Sequence, residues 1–381
     1  MTSPALTLKL HDRIATIGQA AWDSLRDDDN PFNTYAYLDA LETTGCVDRA
    51  SGWQPVHLAL GDESGAIRGV MPLYVKYHSM GEYVFDQAWA RAYEAAGGDY
   101  YPKLQGAVPF TPVTGARLLS PDAQVRRQLV EAAMKVCDQN RLSSLHVTFP
   151  GESEWRLMGE AGLLLRQDQQ FWWRNEGYAT FDDFLERLSS SRRKVIRRER
   201  RDVQAALRME WITGGNITED HLDRLYAFIA NTYDRKWGNG RPYLTRDFFS
   251  LAAERMRDKL ALVFAFDGPR AVAGAINFIG GDTLYGRQWG ALVDVPFLHF
   301  EVCYYQAIDF AIARGLKRVE AGTQGEHKLS RGYLPNPVYS AHYIRDKRLR
   351  APVEHYLAGE REAVREQMQM LSTGASPFRK G

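Results

Sequence analysis

Residues 320–333 read EAGTQGEHKLSRGY and concentrate more reactive side chains than any other stretch of the chain. Gly322, Gly325 and Gly332 surround a Glu326-His327-Lys328 triplet, Ser330 and Arg331. Glu326 or His327 is suited to act as general base toward an amine. Lys328 or Arg331 is suited to hold a phosphate or carboxylate. The glycines allow a ligand to approach the backbone closely. A solvated polar turn is the bland alternative, and loop composition alone favours it.

A second concentration is basic. Arg192, Arg193, Lys194, Arg197, Arg198, Arg200 and Arg201 are opposed locally by Glu199 alone. On a helix, 193, 197, 200 and 201 share one face, and 194 and 198 another. Like charges at that density repel, so an anionic partner such as a phosphate or an RNA backbone would stabilise the helix. Acidic partners from elsewhere in the chain would do the same. His299 and Cys303 stand four apart in a helical pattern, the spacing of a dyad, but no orienting third group accompanies them, and ordinary packing is the reading adopted. Metal ligation is not expected: there is no C-x-x-C or H-E-x-x-H, and Glu326 and His327 are adjacent rather than one turn apart. Phosphate-binding glycine loops of the P-loop and dinucleotide types are absent from the sequence.

These residues must be positioned by a mixed architecture. A strand pattern and two helical patterns open the chain. Strand-like runs come next at 55–60 and 67–79, and then an aromatic and charged stretch at 80–115. That stretch holds Glu82, Tyr83, Tyr101 and Lys103, and reads as either a binding wall or a packed connection. An amphipathic helix at 122–140, a strand at 142–149, a short helix and the strand 169–175 complete the first half. The second half runs through helices at 180–188, 189–207, 218–236 and 245–258. A hairpin at 260–281 turns on Asp267-Gly268, another strand occupies 283–292, and a helix at 298–315 is closed by Gly315. The strand 316–322 leads into the 320–333 motif, and a strand and a terminal helix end the chain. The two halves share an order of elements. The expectation is a mixed α/β (α+β) fold in two domains, 1–165 and 166–381, each a twisted sheet flanked by helices.

Composition is that of an ordinary globular chain: 381 residues, 45% hydrophobic, 25% charged and a net charge of +1. Near-neutrality gives no global case for nucleic acid or membrane binding. Three widely spaced cysteines argue against a disulfide framework. With no basic-then-apolar leader pattern and no run of 18 apolar residues, a cytoplasmic protein without a membrane span is expected.

The stretches HSMGEYVFDQAWARAY, YYPKLQGAVPFTPVTGARLL, SSSRRKVIRRERRDV and GTQGEHKLSRGY, in that order, resemble the FemAB-like branch of the GNAT superfamily, also labelled peptidoglycan biosynthesis/recognition. The resemblance spans roughly residues 10–365. It implies two tandem GNAT-like domains and N-acyl transfer, with acyl-CoA or aminoacyl-tRNA as donor and no metal. It also implies that the segment from Gln324 to Tyr333 begins a helix beside the acyl donor, so Gln324 and Gly325 join Lys328 and Arg331 on the donor side. An acetyl-CoA enzyme of this type carries a Q/R-x-x-G-x-G/A loop before the helix at 298. Here the sequence is VDVPFLHFE, with Asp294 and Glu301 near the helix terminus, where acids repel a pyrophosphate. The expected function is therefore transfer of an acyl or aminoacyl group to an amine, with a cell-wall precursor as the candidate acceptor. Glu326 or His327 would assist deprotonation. Arg192, Arg193 and Arg197 would bind phosphate of the donor or the acceptor, with tRNA a possible partner. Glu82, Tyr83, Tyr101 and Lys103 would line the acceptor side. The rivals are a non-catalytic module recognising a phosphorylated or cell-wall ligand, and an RNA-binding protein using residues 192–201.

Overall fold

A computed structural model describes residues 6–238, 241–322 and 325–379, leaving out the side chains of Trp237 and Glu326. The chain forms two compact units, one of residues 1–168 with 337–365 and one of residues 169–336 with 366–381. In chain order the elements are β1 (Thr7–His11), α1 (Gln19–Asp23), α2 (Tyr35–Thr43), β2 (Trp53–Pro55), β3 (His57–Gly61), β4 (Ile67–Met71), β5 (Leu73–Lys76), α3 (Gln87–Ala95), β6 (Lys103–Gly106), α4 (Ala123–Gln139), β7 (Ser144–Thr148), α5 (Glu152–Glu160) and β8 (Leu164–Arg174). Then come α6 (Phe181–Arg187), α7 (Ser190–Ala206), β9 (Arg208–Thr213), α8 (Glu219–Trp237), α9 (Arg246–Met256), β10 (Leu260–Asp267), β11 (Arg270–Gly280), β12 (Thr283–Ala291), α10 (Leu298–Phe300), α11 (Gln306–Ala313), β13 (Arg318–Glu320), β14 (Leu334–Ile344) and α12 (Lys347–Thr373). Among the described residues no helix is long and apolar enough to cross a membrane.

In the first unit the strands run in the order β2-β5-β6-β7-β14, with β1, β3 and β4 in a separate small sheet. The run 67–79, expected as one strand, is two strands in two sheets. Pro72 separates them, because it has no N–H for a ladder and fixes its own φ. β6 and β7 are parallel and α4 crosses between them. The inner face of α4 (Val125, Leu129, Val130, Ala133, Val136) packs on Leu104, Leu145 and Val147 to make the core.

In the second unit the order is β8-β13-β12-β11-β10-β9, antiparallel throughout except for β12 against β13. The crossover between β12 and β13 is α10, one turn of π-helix over residues 301–305 and α11, ended by Gly315 at a φ of 65°. Ala307, Ile308 and Ala311 of α11 pack on Leu284, Val319 and Trp173. On the other face α8 lies so close to β12 that a Cβ on Gly290 would stand 2.0 Å from the Phe228 carbonyl oxygen. Capping boxes at Thr180/Asp183 and Thr218/His221 start α6 and α8 by satisfying orphan N–H groups.

Candidate active site where two parallel strands part

β12 and β13 pair over three residues, ending at Tyr285 against Glu320. Beyond that point β12 runs on to Ala291 along β11, while the chain of β13 leaves for residues 321–333. Two cavities open beside the divergence, of about 80 Å³ and about 480 Å³, and Trp289 and His299 line both. β12 also carries an extra residue here: Gly286 faces Asn277 and Gln288 faces Ile276, so Arg287 sits in a bulge. Bulges re-aim side chains and recur beside active sites.

The face covered by the crossover helix is aromatic. His299 is half-buried, its ring 4.6 Å from that of Trp289 and 5.2 Å from that of Tyr304. It makes no hydrogen bond with any described residue. Burial and the neighbouring cations push its pKa down to about 3, so the imidazole is neutral. Tyr304 lines the smaller cavity, and its hydroxyl lies 3.0 Å from Nε2 of His327. Burial raises the Tyr304 pKa, so the phenol keeps its proton. Cys303 also lines the cavity, yet burial raises its thiol pKa and it has no hydrogen bond to His299, so no dyad forms. The π turn between them replaces the regular helical spacing that would align the pair.

The motif after β13 is a 3₁₀ helix over Glu326–Arg331 rather than the start of an α-helix. Gln324 lies outside the described residues, as does the side chain of Glu326. His327 is exposed, and burial together with Arg331 and Lys328 lowers its pKa. Gly325, at a φ of 117°, lets that ring lie against the backbone, since a Cβ there would be 2.3 Å from the His327 ring. Lys328 is buried, donates to the Gly322 carbonyl at 2.8 Å, and is pushed down to about 7 by burial. Arg331, expected on the donor side, is instead committed within the protein. Its Nη2 donates to both oxygens of buried Glu199 at 2.9 Å, and its guanidinium lies 3.4 Å over Phe300. These bonds fix the motif to α7.

Sequence reasoning did not single out Glu320 as a candidate, although it opens the motif. It is buried on the sheet face opposite α11, because Val319 takes the other direction into the core. Burial raises its pKa to about 7, against the pull of Arg318, Arg287 and Arg174. A carboxylate at the last paired position of a strand beside a fork was the available signal.

The basic run forms α7, with Ile196 and Val203 buried. Arg193 pairs with Glu186 at 3.1 Å and Arg197 with Asp182 at 2.9 Å. Arg200 pairs with Glu301 and with Asp309. Glu301 is thereby buried and neutralised from α7, with Gln204 and Gln306 also donating to it, so it does not present its charge at the α10 terminus as the sequence suggests. Asp294 stays exposed, 3.8 Å from Arg235. Arg192, Lys194 and Arg198 are exposed and make no hydrogen bond or ion pair with described residues.

Glu82, Tyr83, Tyr101 and Lys103 belong to the first unit, the first two before α3, Tyr101 after it and Lys103 at the start of β6. Lys103 is fully buried and donates to Glu82 Oε2 at 2.8 Å, to Ser79 Oγ at 2.9 Å and to Asp86. Tyr101 is half-buried, its hydroxyl 2.8 Å from Ser79 Oγ. Tyr83 holds a φ of 58°, unusual for an aromatic residue. Glu82 is pushed up to about 7 and Lys76, 3.9 Å away, down to about 7, both chiefly by burial. Glu82 and Lys103 thus face each other inside the unit. Among the described residues no group of three or more His, Cys, Asp or Glu side chains is placed to hold a metal ion.

The first unit has its own parallel pair, but its end is covered. Past β6 the segment 107–118 turns back over β7. Gly115 N–H donates to the Phe149 carbonyl, and the buried Arg117 guanidinium bonds the carbonyls of Thr148, Gly115 and Val113 at 2.8–3.0 Å. The fork of the second unit instead leads into the two cavities lined by Trp289 and His299.

A family model for FemAB-like proteins of peptidoglycan biosynthesis/recognition matches residues 13–380. No curated protein sequence matches the chain. Solved structures do match it. FemX superposes with a TM-score of 0.54 at 10% identity, covering 89% of this chain and 98% of that one. The C-terminal domain of a putative lysylphosphatidylglycerol synthetase from Agrobacterium fabrum gives 0.53 at 8% identity, covering 88% and 94%. L-PGS from Bacillus licheniformis gives 0.51 at 9% identity, covering 87% and 96%. At these identities the likeness is one of fold. A mixed α/β fold in two units is the observed one.

Proposed function

Since the chain belongs to the FemAB-like family of peptidoglycan biosynthesis and recognition proteins, we propose that it is a transferase moving an acyl or aminoacyl group from an activated ester or thioester to the amine of a cell-wall precursor. The observation that carries this reading is the fork between β12 and β13 in the second unit, which opens beside two cavities lined by Trp289 and His299. The donor acyl group would enter from the aromatic face beside Trp289 and His299, and the amine from the face of Glu320. The amine nitrogen attacks the acyl carbon and the C–N bond forms. Backbone N–H groups of the parted β12 edge stabilise the oxyanion, and collapse breaks the bond to the leaving oxygen or sulfur. The amine's proton passes to Glu320. The leaving group takes a proton from Tyr304, which is recharged through His327. Holding the two reactants at one fork supplies much of the rate by orientation.

The exposed Arg192, Lys194 and Arg198 favour aminoacyl-tRNA over acyl-CoA as donor, because a polyanion engages several cations at once. The test is incubation of the purified protein with aminoacyl-tRNA or acyl-CoA and an amine library, read as an acyl mass increment on the amine. Product that falls at least a hundredfold in Tyr304→Phe or Glu320→Gln supports the assignment. Ligand binding without product from any donor would overturn it in favour of a recognition module.

A further inference from the structure

The two cavities beside the fork share Trp289 and His299 but differ in size and character. The smaller, of about 80 Å³, lies against Gly286 and Gln288 of β12, where the acyl carbon would react. The larger, of about 480 Å³, falls within the range of about 300–1,000 Å³ that holds a substantial ligand. An acetyl group would leave most of it empty. Its walls are apolar: Trp289, Val293, Val295, Pro296, Phe297 and Phe300. All of these but the exposed Pro296 are half-buried, so folding leaves part of their apolar surface uncovered. The charged lining residues, Arg235, Lys236 and Asp294, are exposed and mark the mouth. Phe297 holds a φ of 66°, an outlier for a bulky aromatic residue. Backbone strain of that kind gathers at ligand clamps. Here it sets the Phe297 ring in a stack with Phe300, their centroids 6.4 Å apart and their planes 28° from parallel.

The polar atoms between the two cavities narrow the occupant further. The Trp289 indole N–H and the His299 imidazole make no hydrogen bond with any described residue. Burial keeps that imidazole neutral, so one of its nitrogens donates and the other accepts, while an indole only donates. A simple acyl carbonyl would meet the donors and leave the imidazole lone pair without a partner. An α-aminoacyl group meets both, because its carbonyl accepts and its α-amine donates. We propose that the larger cavity selects an α-aminoacyl donor with a large apolar side chain, the side chain lying against Val295, Phe297 and Phe300 and the α-amine donating to His299. The inference deepens the transfer reading and rests on it for the position of the ester. The preference among side chains is a property of the cavity and stands separately. Phe297 sets the size of the side chain, and His299 is a positioning residue for the donor's amine.

The test titrates the full chain with the methyl esters of L-phenylalanine, L-leucine and L-alanine, and with methyl 3-phenylpropanoate, which lacks the amine. Binding is followed by calorimetry and by Trp fluorescence. At least one of the two large esters should bind about tenfold or more tightly than the alanine ester. The phenylalanine ester should bind about threefold or more tightly than methyl 3-phenylpropanoate. Phe297→Gly suits a φ of 66°, so it removes the ring without straining the backbone, and it should erase the size preference. His299→Phe keeps a ring beside Trp289 and should erase the preference for the amine while leaving the size preference. Both variants should keep the parent's circular dichroism spectrum. Alanine ester bound as tightly as the large esters, no gain from the amine, a preference that survives its substitution, or no saturable binding of any probe at about 10 mM overturns the proposal. If either variant misfolds, the four probes on the unaltered chain still decide. Selective binding without product from phenylalanyl-, leucyl- or alanyl-tRNA keeps the cavity assignment and removes the transferase reading. Product formed equally from all three keeps the transferase and removes the selection.

Discussion

At the scale of single residues, burial sets the chemistry of this site more than charge does. Glu320 sits among three arginines, yet desolvation raises its pKa to about 7. A base with that value is half ionised at neutral pH, so kcat/KM should rise with pH through about 7, and Glu320→Gln should abolish that rise in a pH–rate profile. Lys328 shows the same desolvation with the opposite sign. Its folded value of about 7 lies below the ordinary 10.5. Between those values the unfolded chain binds a proton the folded chain does not, so the parent protein gains stability as pH rises from 7 towards 10. Lys328→Met lacks that gain. Denaturant melts should therefore show the parent-minus-variant stability moving in the parent's favour by a few kcal/mol, on the order of the shift itself, between pH 7 and 10. Part of this was legible beforehand: His327, Lys328 and Arg331 stood out as a cluster. Burial of Lys328 and pairing of Arg331 with Glu199 were not, because the partner is 132 positions away.

At the scale of elements, α7 shows how a charge run divides its labour. Arg193, Arg197 and Arg200 are paired with acids from α6 and the crossover helix, while Arg192, Lys194 and Arg198 face solvent. Helical periodicity indicated that the run has faces, but only packing decided which face meets acids. Substituting Arg192, Lys194 and Arg198 by Ala should weaken binding to tRNA and reduce the slope of log affinity against log salt by about 2 to 3, measured by filter binding across a salt series. The Arg193, Arg197 and Arg200 pairs should contribute little to that slope. β12 depends on a different constraint. Its Gly290 backbone touches α8, so Gly290→Ala should destabilise the protein by about 1–3 kcal/mol in chemical melts, through overpacking at a place with no side chain to move. Strand boundaries were readable where turn residues mark them, as at Asp267-Gly268. The split of 67–79 into two sheets required Pro72 to be weighed as a break.

At the scale of the whole molecule, two units with one parallel pair each differ in how that pair ends. In the first, Arg117 and the segment 107–118 close the strand ends. The guanidinium is buried among carbonyls, and its pKa is lowered to about 10 by that burial. Arg117→Met should cost about 3–5 kcal/mol in a thermal or denaturant melt, because it strands those carbonyls without a donor, while acyl transfer by the surviving folded fraction keeps its KM. In the second unit the equivalent place is open and holds the candidate site. The sequence by itself determined the mixed α/β class, the family resemblance, most of the element order and the concentration of polar side chains at residues 320–333. Each of these is written in local periodicity, turn residues and contiguous motifs. Tertiary structure alone decided that residues 337–365 pack with the first unit, that Arg117 ties the segment after β6 to the end of β7, and that Glu320 and Glu199, the latter paired with Arg331, are both buried. Those outcomes depend on contacts between residues far apart in the chain and on which groups lose water when the chain closes, and neither is encoded in any one stretch.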